Sequence, residues 1–294
     1  MDIEGRSFMK DLRGRVLVGD GAMGTMLYTR GAFLNKAFEE LNTTDPELVA
    51  AIHQAYVDAG ADIIETNTFG ANRIKLANFG LRQRLSALNA AGVALARTAA
   101  GATTYVAAAI GPLGSLLTPD GPLLQADAED AFREQAEALL EPGGVDLFML
   151  ETFRSLAELR LAVQAIQAIT TLPIVAQLTT DVSGQTSDGV GPEMFAPMLV
   201  DDGADVVGVN CSDGPVTMFE VIDRLAGFTE APLVAQPNAG RPREVEGRTL
   251  YLSSPEFVAS YARRFASAGA KIVGGCCGTT PDHIRAIKAA VGVA

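Results

Sequence analysis

No apolar run in the chain approaches the ~18–20 residues needed to cross a bilayer, so no transmembrane helix is expected. The first residues, Met1 to Arg6, are charged and lack the apolar segment of a secretory signal. A cytoplasmic protein with no membrane partner is the resulting expectation. Basic residues are scarce: 23 Lys and Arg stand against 35 Asp and Glu, for a formal net charge of −12. A surface that neutralises phosphates needs a basic stripe, so no nucleic-acid partner is expected. Cysteine is scarcer still, at three, and an odd number without an export signal argues against a disulfide framework. Histidine is rarer again, with His53 and His283 alone, both in helical segments. A Cys/His or Ser/His nucleophile system is therefore poorly served. No Gly-x-Gly-x-x-Gly follows the first strand, which weakens a dinucleotide-binding reading.

What the 294 residues do contain is alternation, in a composition that is 48% hydrophobic. Short β-branched runs at Val16–Gly19, Asp62–Glu65, Tyr105–Ile110, Asp146–Leu150, Pro173–Leu178, Asp205–Val209, Leu233–Gln236 and Lys271–Val273 alternate with longer amphipathic segments. Nearly continuous apolar character suits parallel strands buried on both faces. Pro46–Ala59 opens with Asp45 as N-cap and Pro46 at the first helical position, and Ala71–Ala100 reads as two helical pieces broken at Gly80. Several helices end in Ala-Gly-Ala or a close variant, where glycine takes the left-handed conformation that stops the helix. Eight strand–helix units in one chain predict an α/β protein of a single domain, a (β/α)₈ TIM barrel; a doubly wound open sheet is the alternative. The barrel is assigned to residues 10–294. Residues 1–9 read as an N-terminal extension, a remnant of cloning, because Ile3-Glu4-Gly5-Arg6 matches a common engineered protease-cleavage site.

Barrels carry their function in the loops that follow the strands. All three cysteines fall there: Cys211 after the sixth strand, Cys276 and Cys277 after the eighth. Three thiolates with an open fourth position is the ligand set of a catalytic zinc ion. Neighbours in a regular strand point to opposite faces, so Gly274, Gly275 and Gly278 are needed to allow a turn that aims both adjacent sulfurs inward. A vicinal disulfide is the plainer rival, but it leaves Cys211 unexplained. Of the five lysines (Lys10, Lys36, Lys75, Lys271 and Lys288) only Lys271 is near a strand, and at the wrong end for a Schiff base. Asp20 and Glu151 end the first and fourth strands and are suited to a substrate ammonium, although a turn and a helix cap would also account for them. The Gly21–Gly24 loop, with Ala22 and Met23 between its glycines, offers approachable backbone N–H groups for a carboxylate.

Gly19-Asp20-Gly21-Ala22-Met23-Gly24-Thr25, Glu65-Thr66-Asn67-Thr68-Phe69, Asn210-Cys211 and Gly274-Gly275-Cys276-Cys277-Gly278-Thr279 resemble the homocysteine S-methyltransferase family, over nearly the whole chain. The resemblance implies a zinc-dependent barrel that methylates L-homocysteine to methionine. On matching positions it makes Cys211, Cys276 and Cys277 the zinc ligands. Glu151 and Asp20 would hold the substrate amino group and the Gly21–Gly24 main chain its carboxylate, with Asn67, Asn210 and Asn238 as pocket residues. Glu-Thr-Asn-Thr-Phe, with Glu39–Asn42, is most similar to one branch: the N-terminal homocysteine modules of cobalamin-dependent methionine synthase and of bifunctional homocysteine methyltransferase–methylenetetrahydrofolate reductases. That branch favours methylcobalamin, linked to methyltetrahydrofolate and supplied by another domain or protein. S-Methylmethionine, S-adenosylmethionine and betaine stay open as donors, and a non-catalytic thiolate zinc-binding protein is the rival of another class.

Overall fold

A computed structural model of the chain describes residues 7–32, 36–141, 144–245 and 248–292, with the backbone alone at 248. The Ile3–Arg6 motif lies outside the described residues. The chain enters through helix α1 (Phe8–Gly14), strand β1 (Leu17–Val18) and the short helices α2 (Gly24–Thr29) and α3 (Leu41–Thr44). Strand–helix units follow: α4 (Pro46–Asp58), β2 (Ile63–Glu65), α5 (Arg73–Ala77), α6 (Leu85–Ala100), β3 (Tyr105–Ile110) and α7 (Gln125–Leu140). After them come β4 (Leu147–Phe153), α8 (Leu156–Gln167), β5 (Ile174–Leu178), α9 (Pro192–Asp201), β6 (Val206–Cys211) and α10 (Pro215–Leu225). The chain ends with β7 (Leu233–Pro237), a hairpin of β8 (Arg243–Val245) and β9 (Arg248–Leu250), α11 (Pro255–Ser267), β10 (Ala270–Val273) and α12 (Pro281–Val291).

Eight parallel strands run in the order β1-β10-β7-β6-β5-β4-β3-β2. A parallel bridge from Gly19 to Ile63 joins the two ends, helped by the Asp62 N–H donating to the Val18 carbonyl at 2.7 Å. The sheet is a closed (β/α)₈ barrel, and the open-sheet alternative falls. Each expected strand is present with ends shifted by a few residues at most. The hairpin β8–β9 was not expected: its exposed residues lack the apolar run that marks a barrel strand.

Local chemistry explains the helix bounds. The Asp45 side chain caps α4 by accepting from the Leu48 N–H, with Pro46 at the first position. Gly80 separates α5 from α6 at φ 71°, and Gly60, Gly203 and Gly269 adopt left-handed φ after their helices.

Two packed regions follow from strands buried on both faces. Outside the barrel, the strands' outward residues meet the helices in one continuous apolar layer. Inside, Leu17, Ile63, Tyr105, Leu147, Met149, Val175, Val206, Val234 and Ile272 fill the lower lumen. Phe8 and Leu12 of α1 join that inner cluster, and Phe8 meets Tyr105 edge to face at 5.5 Å. Phe8 and Met9, assigned from sequence to the extension, thus begin a helix that closes the barrel floor. No described helix is long and apolar enough to cross a membrane.

Candidate metal and substrate site

Strand geometry carries the lumen upward into the site. Residues two apart on a strand share a face, so Ile63 leads to Glu65, Met149 to Glu151, Val175 to Gln177, Val234 to Gln236 and Val206 by way of Gly208 to Asn210. The lumen therefore changes from apolar at its floor to amide, then carboxylate and sulfur at the C-terminal rim. There it opens into a cavity of about 360 Å³ whose lining includes Asp20, Met23, Glu65, Glu151, Cys211 and Cys276.

The three cysteine sulfurs lie within 4.8 Å of one another, with Cys211 and Cys277 Sγ 4.0 Å apart, and all three are free of disulfides. Four sulfurs about 2.3 Å from a tetrahedral zinc are roughly 3.8 Å apart, so the spacing fits that ion. Buried Asn238 adds an oxygen, Oδ1, with no hydrogen-bond partner, while its Nδ2 donates to the Ser212 carbonyl at 2.6 Å. A soft thiolate set with a free amide oxygen at its edge suits zinc chemically.

Backbone irregularity aims the sulfurs. Cys211 sits at φ 62° and Ser212 at φ 61°, a left-handed conformation that non-glycine residues seldom take. In the eighth loop the Gly275 N–H donates to the Asp20 carbonyl at 2.9 Å and the Cys276 N–H to the Pro237 carbonyl at 2.8 Å. A Cβ on Gly275 would run into the Thr279 side chain, and one on Gly278 (φ 78°) into the Tyr251 ring. The glycines are there for the turn that the adjacent cysteines demand. The neighbouring Cys211 and Cys276 thiols pull the Cys277 thiol down to about 3, with Tyr251 adding to the effect. Cys276, beside the same two sulfurs, is pushed well above the usual thiol range.

Beside the sulfurs are three carboxylates, Asp20 buried and Glu65 and Glu151 half-buried on the cavity wall. Asp20 Oδ2 accepts from the Glu65 N–H at 3.0 Å, and Oδ1 has no partner. Burial, then the neighbouring Glu65 charge, pushes Asp20 well above the usual carboxylate range, and the same two causes act on Glu151. Asn210 ties this group to the cysteine cluster. Its Nδ2 donates to Thr152 Oγ1 at 2.7 Å and lies 3.3 Å from Glu151 Oε2 and 3.8 Å from Cys276 Sγ. Its Oδ1 accepts from the Thr152 N–H at 2.7 Å. Thr152 is held at φ 62°, where the register between β4 and β5 slips.

The residues singled out from sequence divide by what their polar groups do. Asp20, Gly21, Ala22, Met23, Asn67, Glu151 and the cysteines line the cavity. Gly21 is pressed against its neighbours, since a Cβ there would come 2.6 Å from Thr279 Oγ1. The Ala22 N–H donates to that same Oγ1 at 3.2 Å. Asn67 spends its amide on the Phe38 carbonyl and Asn42 Oδ1, both at 2.9 Å, and so positions the wall. His53 is packed inside α4, and His283 completes a capping box with Thr280 at the start of α12. Sequence reading missed Glu65, Gln236 and Gln177 as site residues, and Tyr251 beside Cys277. Period-two alternation would have found the first three; Tyr251 sits in a loop with no periodic signal.

The homocysteine S-methyltransferase family model matches residues 17–291. Methionine synthase of Mycobacterium tuberculosis (strain ATCC 25618 / H37Rv) is 36% identical over 300 residues, covering 95% of this chain and 25% of that protein. The one from Mycobacterium leprae (strain TN) is 35% identical over 303 residues, covering 96% and 25%. The chain thus spans about a quarter of the length of these relatives. A crystal structure of the homocysteine methyltransferase MmuM from Escherichia coli, metallated form, superposes with a TM-score of 0.79 at 28% identity, covering 94% of this chain and 96% of that one. With its matched motifs on a single barrel rim, the chain belongs to the homocysteine S-methyltransferase family.

Proposed function

We propose that this barrel holds zinc on Cys211, Cys276 and Cys277 and transfers a methyl group to the sulfur of L-homocysteine, forming methionine. The observation that carries the reading is the convergence of three sulfurs, 4.8 Å apart or less, on a cavity that also presents carboxylates. When bound, the zinc would supply a site at which a thiol, with a pKa of ~8.5 in water, is held as its nucleophilic thiolate at neutral pH. Everything else falls to the chain. Asp20 and Glu151 accept hydrogen bonds from the substrate ammonium, whose charge offsets the cost of burying theirs. The Gly21–Gly24 loop lies where it can face the carboxylate, and Phe38 and Phe69 in the cavity lining exclude water. Asn210 links Glu151 to Cys276, fixing the ammonium end relative to the sulfur end. The donor methyl then arrives from the open rim, supplied through methylcobalamin on another domain or protein.

Replacing Cys276 or Cys277 by alanine tests the reading. Bound zinc is expected to fall from one per chain to near zero, with methionine formation lost. X-ray absorption on the zinc-loaded protein is expected to show one additional sulfur when L-homocysteine is added. Zinc that gains no sulfur would mark a non-catalytic metal-binding protein instead.

A further inference from the structure

Inside the lumen, beneath the sulfurs, a hydrogen-bonded ladder ends on a carboxylate with no part in the reading so far. Gln177 Nε2 donates to Gln236 Oε1 at 2.7 Å, and Gln236 Nε2 donates to Glu65 Oε1 at 2.7 Å. The first contact fixes which way the Gln236 amide points, so its N–H faces Glu65. Gln177 is itself held, 3.1 Å from Met149 Sδ. Glu65 is therefore a restrained acceptor presented on the cavity wall.

Glu65 also neighbours both other acids. Its N–H donates to Asp20 Oδ2 at 3.0 Å, and its carboxylate is close enough to that of Glu151 to help raise the Glu151 pKa. Three carboxylates, one just after β1 and the others on β2 and β4, thus meet on one wall of the cavity. The other titratable groups that act on them are Tyr56 from α4, Lys75 from α5 and Cys277 from the eighth loop, and Glu39 lines the same cavity. None of the ion pairs among the described residues includes any of the three acids. Asp20 Oδ1 is buried and without a partner. Lys75 acts on Glu151 without an ion-pair contact, so gathering these acids is costly, and a buried acceptor left open points to a donor that comes from outside.

We infer that Glu65 is the third carboxylate of the ammonium site, held by Gln177 and Gln236 so that the three N–H groups of one substrate ammonium meet Asp20, Glu65 and Glu151. It is a specificity-determining residue: it selects a thiol that carries a protonated α-amino group over the same thiol without one. The inference rests on the homocysteine reading of the cavity and adds a residue to it. Glutamine at position 65 keeps the shape and can still accept from Gln236 while losing the charge.

Calorimetric binding to the zinc-loaded protein tests it, with L-homocysteine and 4-mercaptobutanoate, which is homocysteine without its amino group. Wild type is expected to prefer homocysteine. E65Q is expected to weaken homocysteine binding at least tenfold and leave 4-mercaptobutanoate within twofold. Equal weakening of both ligands indicates a structural role, and weakening of neither indicates no role; either result overturns the inference while the homocysteine reading stands. Wild type that binds both ligands equally, or neither, overturns the amino-acid reading of the cavity and this inference with it.

Discussion

His53 shows how much a single buried side chain can make stability depend on pH. It lies wholly inside α4's packing face, and neither ring nitrogen has a hydrogen-bond partner. Burial without a partner favours the neutral ring, lowering its pKa from 6.5 to about 4. The unfolded chain therefore takes up this proton more readily than the folded one, so the folded state is disfavoured as pH falls. The contribution is full above about 6.5 and is lost progressively down to about 4. Over that window the loss amounts to about 3 kcal/mol. Asp20, Glu65 and Glu151 work in the opposite direction, since carboxylates raised by burial favour the fold as they take up protons. A difference measurement separates the two. Urea unfolding of wild type and H53L at pH 7 and pH 4.5 is expected to show the variant gaining on wild type by roughly 2 kcal/mol or more between the two pH values. Equal shifts in both proteins would show that the ring is not buried neutral.

Among the elements, α1 has a role that belies its position at the start of the chain. Phe8 and Leu12 enter the lower lumen beside Leu17, Ile63 and Tyr105, and Asp11 Oδ2 accepts from the Tyr105 hydroxyl at 3.0 Å. F8A removes a ring from that floor, and large-to-small changes of this type cost about 3 kcal/mol or more. A drop of that size in the unfolding free energy by urea titration is expected; a change under about 1 kcal/mol would leave α1 outside the core. The same element marks where sequence reading stops. The barrel strands were legible because each is apolar on consecutive positions, and only their ends moved: Leu150 and Val209 proved not to be terminal, because β4 and β6 continue to Phe153 and Cys211. Glu151, Asn210 and Cys211 thus sit on strands rather than in loops. The hairpin β8–β9 was illegible because Arg243, Glu244 and Val245 are all exposed and carry no burial pattern. The sulfur site was readable from three rare residues on one rim. For Glu65, period-two alternation places the side chain on the lumen face, but its partner was not legible, because only closure of the barrel brings it to Gln236, which lies 171 positions away.

For the molecule as a whole, the size of the cavity bears on which methyl donor the proposed reaction would use. The chain covers 96% of the E. coli homocysteine methyltransferase but only about a quarter of each mycobacterial methionine synthase. Identity is higher to the latter, at 35–36% against 28%. A small donor such as S-methylmethionine could share the cavity of about 360 Å³ with homocysteine. A corrin is too broad to enter it, so on the methylcobalamin reading proposed above such a donor would have to be presented from outside the cavity. Leu116, Val182 and Leu252, from the segments that follow β3, β5 and β9, are each more than 60% exposed. Zinc-loaded protein with L-homocysteine is therefore expected to form methionine from methylcobalamin and only a background amount from S-methylmethionine, followed as methionine released. A replacement of Leu252 by aspartate is expected to slow the methylcobalamin reaction several-fold and leave homocysteine binding unchanged. Turnover with S-methylmethionine that exceeds turnover with methylcobalamin would place the donor inside the cavity and make the exposed rim irrelevant to transfer.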